Sequence, residues 1–392
     1  MRPAMHPYIH ARKFPNKPAY LMAGSGEIVT YGQLDRQSNR IAQLFRSLGL
    51  QAGDHVAIFM ENNARFFEIC WGAQRSGLIY TAISSRLTAP EVDYIVGDCG
   101  AKLFVTSKHL AERAAELRPL MGNVPHRFMV DSPIDGYASW EEAVARQPET
   151  PIADQTQGHD MLYSSGTTGR PKGILRPLPE DPPANHLPIF SFLLKLWKYR
   201  DGMIYLSPAP LYHSAPQAAV GLTIRSGGTA VIMEKFDPEA YLALVPKYRI
   251  THSQLVPTMF SRMLKLPEAA RKKHDLSSLE IAIHAAAPCP VQVKEQMIQW
   301  WGPIIDEYYG ATEGLGFTAC NSAEWLAHKG TVGKVLLGKL HVLDDAMVEQ
   351  PVGTAGTLWF ETATPFEYFN DPGKTKEARS PDGSMSTVGD VG

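Results

Sequence analysis

The residues with the clearest chemical purpose run from Tyr163 to Gly173 and read Tyr-Ser-Ser-Gly-Thr-Thr-Gly-Arg-Pro-Lys-Gly. Gly166, Gly169 and Gly173 let the backbone enter the left-handed region and bring its N–H groups close to a ligand. Ser164, Ser165, Thr167 and Thr168 add hydroxyl donors, and Lys172 adds a compact positive charge. Such a loop suits a phosphate. It is not a Walker loop, because Pro171 stands before the lysine and Gly173 after it. Its glycines also miss the dinucleotide fingerprint. On composition alone, the competing reading is a solvated Ser/Thr/Gly loop.

In an open parallel sheet, ligands collect beyond the carboxyl ends of the strands, so residues just after each expected strand matter most. Ile305 to Gly314 reads Ile-Asp-Glu-Tyr-Tyr-Gly-Ala-Thr-Glu-Gly. Here Tyr309 can stack on a purine, Thr312 can donate to a phosphate oxygen, and Glu313 can ligate Mg²⁺. Near the end of the sequence, Asp390 can accept hydrogen bonds from two hydroxyls. Gly-Asp in that position also reads as an ordinary turn.

The string from Ser164 to Gly173 resembles the signature loop of the adenylate-forming superfamily: acyl-CoA synthetases, aryl-CoA ligases, luciferases and peptide-synthetase adenylation domains. Tyr309-Gly310-Ala311-Thr312-Glu313 resembles its second hallmark. Ser386-Thr387-Val388-Gly389-Asp390 resembles its third, with Val388 separating threonine from glycine. The resemblance implies that Ser164, Ser165, Gly166, Thr167, Thr168, Gly169 and Lys172 hold phosphates and that Asp390 holds the ribose. It implies that Tyr308, Tyr309, Gly310, Ala311 and Thr312 line the nucleotide. Ala285, Ala286, Ala287 and Pro288 resemble the small-residue segment between adenine and the acyl group; the alternative there is a tightly packed strand-to-helix turn. Tyr212-His213 resembles the aromatic-histidine segment near the acyl carboxylate, the alternative being a satisfied structural histidine. Lys172, His213, Thr312 and Glu313 are then the catalytic candidates, with Glu313 as the metal ligand.

The elements around these residues form an α/β chain. At 392 residues with 44% hydrophobic content, it is long enough for two or three subdomains. Thr30 and Gln33 make a capping box, Leu34, Ile41, Leu44, Phe45 and Leu48 share a helical face, and Gly49 ends it. Strands are expected at His55–Met60, Leu78–Ile83 and Lys102–Thr106, with helices near Arg65–Arg75, from Ala89-Pro90-Glu91, and near Leu110–Met121. Residues 131–160 read as a connector. Ile189–Tyr199 reads as a short apolar helix, either over an acid-binding cavity or simply lidding the core. A second alternating series places strands at 203–206, 229–233, 250–256, 280–285 and 304–308. Short β runs follow at Val332–Leu337, Leu340–Leu343 and Thr357–Glu361. The expected architecture is two similar layered parallel-sheet subdomains with helices on both faces, 1–160 and 161–329, plus a small β-barrel-like subdomain, 330–392.

Lys+Arg 38 against Asp+Glu 40 gives a formal charge of -2, which offers no basis for binding nucleic acid or an anionic membrane. The most apolar run, Leu187 to Trp197, is too short to span a bilayer. No secretory signal is visible. Cys70, Cys99, Cys289 and Cys320 are far apart without a CxxC pair, so free thiols in the cytoplasm are expected. The oligomeric state is not legible.

The family's chemistry implies ATP, Mg²⁺, a small-molecule carboxylic acid and coenzyme A: an acyl-adenylate forms first, then a thioester. The resemblance also implies a C-terminal domain that this sequence lacks, so a large N-terminal domain with poor turnover on its own is expected. Residues 208–217 offer no aspartate for an α-amino group, and the alanines with Gly310 leave room for a fatty, aryl or steroid-like acid. The alternative is a nucleotide-binding scaffold or sensor without ligase chemistry.

Overall fold

Thr30 caps helix Tyr31–Ser47 through the reciprocal bonds with Gln33, and the helix presents Leu34, Ile41, Leu44 and Phe45 inward. It packs on helix Arg65–Arg75, where Gly72 permits close approach: a Cβ there would lie 2.3 Å from Ile41 Cγ2. The computed structural model describes residues 4–164, 170–185, 188–361 and 366–392. They form two compact units, Met1–Tyr163 with Pro177–Gln254, and Ser164–Arg176 with Leu255–Gly392.

The first unit contains a parallel sheet in the order Ala138–Ser139, His126–Val130, Leu103–Ser107, His55–Phe59, Ile79–Ile83, His159–Asp160. His55 faces Ile79 and Phe59 faces Ile83 in register. Ile58, Phe59, Phe104 and Val105 are fully buried at its centre, as expected for strands covered on both faces. The same unit runs His252–Leu255, Ile204–Ser207, Thr229–Ile232 and Pro18–Met22 in parallel, with Ile28–Thr30 antiparallel on Pro18–Met22.

In the second unit, Ile281–His284 and Ile305–Gly310 are parallel, and Phe317–Cys320 and Lys334–Leu337 follow antiparallel. Lys339–Leu343, Thr357–Glu361 and Met385–Ser386 form a three-stranded antiparallel sheet. Lys172–Leu175 pairs with Glu367–Tyr368. The α/β class and the layered parallel sheets thus match the sequence expectation.

Some elements differ from it. Strands Pro18–Met22 and His126–Val130 carry no clean alternation and were not expected, and the stretch read as a connector folds in part into helix Trp140–Ala145. Ser139 caps that helix, and Trp140 packs edge-on against Phe128 at 5.7 Å, so a large indole orders a polar segment. Helix Pro188–Leu196 has no buried residue, its side chains being half-exposed or exposed. Its Phe190 ring lies 5.7 Å from the buried Arg225 guanidinium, which also sits 4.7 Å over Trp71. Cys70, Cys99, Cys289 and Cys320 are free thiols. Among the described residues, no helix is long and apolar enough to cross a membrane.

Candidate active site

Strand Lys172–Leu175 carries the end of the phosphate-loop sequence. Its pairing with Glu367–Tyr368, reinforced by the Phe369 N–H donating to the Gly173 carbonyl at 2.8 Å, brings Tyr368 beneath Lys172. The Lys172 ammonium lies 5.3 Å from the Tyr368 ring centroid, a cation–π distance. The Tyr368 hydroxyl donates to Glu313 Oε1 at 3.0 Å. One tyrosine therefore joins the loop lysine to the carboxylate of the second motif. Sequence reasoning missed Tyr368, which acts on Glu313 and Lys172, both far from it in the chain; just after it, Asp371 caps helix Pro372–Glu377.

Tyr309 and Asp390 meet directly, the phenol donating to Asp390 Oδ2 at 2.7 Å. Burial, the Asp390 carboxylate and Glu313 together push the Tyr309 phenol above its ordinary range. Burial and Glu313 do the same to Tyr368. Both tyrosines pack on one apolar cluster, Ile174, Leu315, Phe360, Phe366 and Ala378. Val388, the residue that interrupts the third motif, packs on that cluster too. Around it, the Thr387 hydroxyl donates to the Leu358 carbonyl at 2.7 Å and accepts from the Gly389 N–H at 3.0 Å. Gly316 keeps the space for Phe360 open: a Cβ there would lie 2.0 Å from that ring.

Lys172, Glu313, Tyr309 and Asp390 thus converge in the second unit. Tyr308 stacks on Phe317 at 5.0 Å, while Ala311 and Thr312 are half-exposed and Gly310 is exposed. Ala285 is buried and Ala286, Ala287 and Pro288 are exposed, with Ala286 held at φ +72. A non-glycine residue in that region is strained. Ser164 is half-exposed, and Ser165, Gly166, Thr167, Thr168 and Gly169 lie outside the described residues.

The sequence profile of the AMP-binding enzyme family matches residues 8–367. The chain belongs to that family. It is 27% identical to a crotonobetaine/carnitine–CoA ligase of Salmonella paratyphi A, spanning 97% of this chain and 75% of the relative. It is 29% identical to the fatty acid–[acyl-carrier-protein] ligase ScoC of Streptomyces coeruleorubidus, over 98% of this chain and 73% of that protein. Among solved structures, the inhibitor-bound N-terminal domain of FACL13 from Mycobacterium tuberculosis superposes with a TM-score of 0.82 at 25% identity, covering 98% of this chain and 95% of that one.

For an AMP-binding enzyme the residues present fit the expected ligands. Asp390 is exposed and uses one carboxylate oxygen on Tyr309, leaving acceptor capacity for ribose hydroxyls. No group of three or more His, Cys, Asp or Glu among the described residues could hold a metal by itself. A Mg²⁺ ion bound chiefly by triphosphate and water needs only one or two protein carboxylates, and Glu313 is the residue that would supply one.

His213 belongs to the first unit. It is exposed at the start of helix Ser214–Arg225, its ring 4.6 Å from that of Tyr212. A second residue missed from sequence, Asn62, fixes this segment. Its buried amide donates to the Ala209 carbonyl at 3.1 Å and the Met233 carbonyl at 2.7 Å, and accepts from the Leu211 N–H at 2.8 Å.

Proposed function

We propose that the chain uses ATP to activate a hydrophobic carboxylic acid, fatty, aryl or steroid-like, and passes the acyl group to the thiol of coenzyme A. The carboxylate oxygen attacks the α-phosphorus and pyrophosphate leaves, giving the acyl-adenylate. The thiolate then attacks the acyl carbon and AMP leaves. The observation that carries this reading is the convergence of Lys172, Tyr368, Glu313, Tyr309 and Asp390 on one apolar cluster.

An anionic nucleophile must approach an anionic triphosphate, so charge neutralisation is the main physical need. Lys172 and the N–H groups and hydroxyls of Ser164 to Gly169 serve the phosphates, and Thr312 donates to a phosphate oxygen. Mg²⁺, held with the help of Glu313, neutralises charge when bound. Asp390 anchors the ribose and Tyr309 stacks on adenine. The relatives' names support a thiol acceptor, since one is a CoA ligase and another an acyl-carrier-protein ligase. Exposed Ala286 and Ala287 support an acyl group of some bulk.

A panel of acyl-sulfamoyl adenosines that differ only in the acyl group tests the reading by thermal stabilisation. Fatty or aryl analogues should raise the unfolding temperature well above AMP. Preference for aminoacyl or short polar analogues would overturn the substrate class, and equal stabilisation by AMP alone would point to a nucleotide-binding scaffold.

A further inference from the structure

Behind the two strand ends just described lies a buried polar cluster that the proposed reaction leaves unused. Lys294, on helix Val291–Trp301, is fully buried, with its ammonium 2.5 Å from Glu307 Oε2 and 4.9 Å from the Trp325 ring centroid. His284 Nε2 approaches the same carboxylate oxygen at 3.4 Å. The imidazole is sealed by the Phe260 ring, edge-on at 5.4 Å. Burial pushes the Glu307 carboxyl up, but His284 and Lys294 outweigh it and hold it below the ordinary range. Burial holds His284 below its own range, against the pull of Glu307.

These residues sit where the backbone divides. The parallel ladder between Ile281–His284 and Ile305–Gly310 ends at the pair His284 and Glu307. Beyond it, one strand turns into Ala285–Pro288 through the left-handed Ala286, while the other continues to Tyr309, still paired on its other edge with Phe317–Cys320. Well-packed apolar residues would stabilise such a site at least as well as a buried ion pair, whose desolvation cost is large. The polar choice therefore calls for a reason other than stability, and buried polar groups are best attested as devices that fix register.

We propose that Lys294, Glu307 and His284 form a positioning device that sets the spacing between the Ala285–Pro288 wall and the Tyr309 ring, and so the width of the adenine slot. This inference rests on the reading of those two segments as nucleotide-facing. Lys294 and Glu307 are positioning residues, because they act through the strand ends and touch no substrate.

The test compares the wild-type chain, the volume-matched double variant Lys294→Met/Glu307→Leu, and Glu307→Gln. Affinity for an acyl-sulfamoyl adenosine is measured by calorimetry, and amide exchange at Ala285–Ala287 and Tyr309–Ala311 is measured without ligand. The double variant should unfold at a temperature close to wild type, yet bind roughly tenfold or more weakly and exchange faster at both segments. Glu307→Gln, which still accepts from Lys294, should recover part of the affinity. A folded double variant with wild-type affinity and exchange overturns the proposal. If the double variant does not fold, Glu307→Gln decides alone, and wild-type affinity and exchange in it overturn the proposal. A wild-type chain that binds no analogue, while exchange still quickens in the variants, sinks the nucleotide reading and supports the positioning role.

Discussion

Tyr368→Phe isolates one hydroxyl at the junction of two motifs. The ring stays on the Ile174 and Phe366 cluster and beneath Lys172, so only the 3.0 Å bond to Glu313 is lost. A hydrogen bond to a charged acceptor contributes about 1.5–3 kcal/mol. Glu313 is 8% exposed, but Tyr368 is only half-buried, which favours the lower end, about 1.5 kcal/mol. Amide exchange in the second unit reads its opening directly, and about 1.5 kcal/mol should quicken it roughly tenfold. Mg²⁺-dependent ATP binding should weaken as well, because Glu313 loses the group that orients it. Tyr368→Leu should do worse on both counts, since it also removes the face under Lys172, a contact of about 0.5–1 kcal/mol. Exchange and ATP binding unchanged in Tyr368→Phe would refute the assignment of Tyr368 as the link between lysine and carboxylate.

Other expectations follow from single contacts. Asn62→Leu removes three buried hydrogen bonds from the segment leading to His213 and should cost about 2–4 kcal/mol, seen as faster exchange at Leu211; an unchanged rate would show that the amide does not anchor it. Gly316→Ala forces Phe360 to move and should cost about 1–3 kcal/mol, with weaker AMP binding because Phe360 backs Tyr309 at 6.4 Å. His341 lies between Glu349 at 2.8 Å and Glu361 at 2.7 Å. Bonding to Glu349, then Glu361, raises its pKa above the ordinary 6.5 despite partial burial. The folded state therefore holds the proton more tightly, so this stabilisation is complete below about pH 6.5 and fades as pH rises through the raised value. Subtracting the pH–stability curve of His341→Ala from that of the wild type should show the difference disappearing on the alkaline side; a difference independent of pH would contradict it.

How much of this was legible in the sequence depended on range. Helix Tyr31–Ser47 was readable because its cap, its apolar face and its terminating glycine all lie within one window. The central parallel strands were readable because strands buried on both faces are continuous apolar runs. Pro18–Met22 was not, since it carries no clean alternation and, besides the short neighbouring Ile28–Thr30, its partner Thr229–Ile232 lies some two hundred residues away. Helix Trp140–Ala145 was hidden by flanking prolines and glycine, and its anchor, Trp140 against Phe128, is a tertiary contact. In the site, Lys172, Tyr309, Glu313 and Asp390 were singled out because each belongs to a recognisable motif. Tyr368 and Asn62 were missed because each acts across a long sequence separation, on residues whose own motifs drew the attention. The cluster of Lys294, Glu307 and His284 has no sequence signature at all: a lysine on a helix reads as solvent-exposed until the fold buries it.

The central claim is that Lys172, Tyr309 and Asp390 surround a single ATP. A crystal structure of the chain with Mg²⁺ and a non-hydrolysable ATP analogue tests it most directly. The account expects adenine against Tyr309 and Ala285–Ala287, ribose hydroxyls on Asp390, and the triphosphate running towards Lys172. Nucleotide bound elsewhere, or these three side chains opening onto separate surfaces, would contradict it.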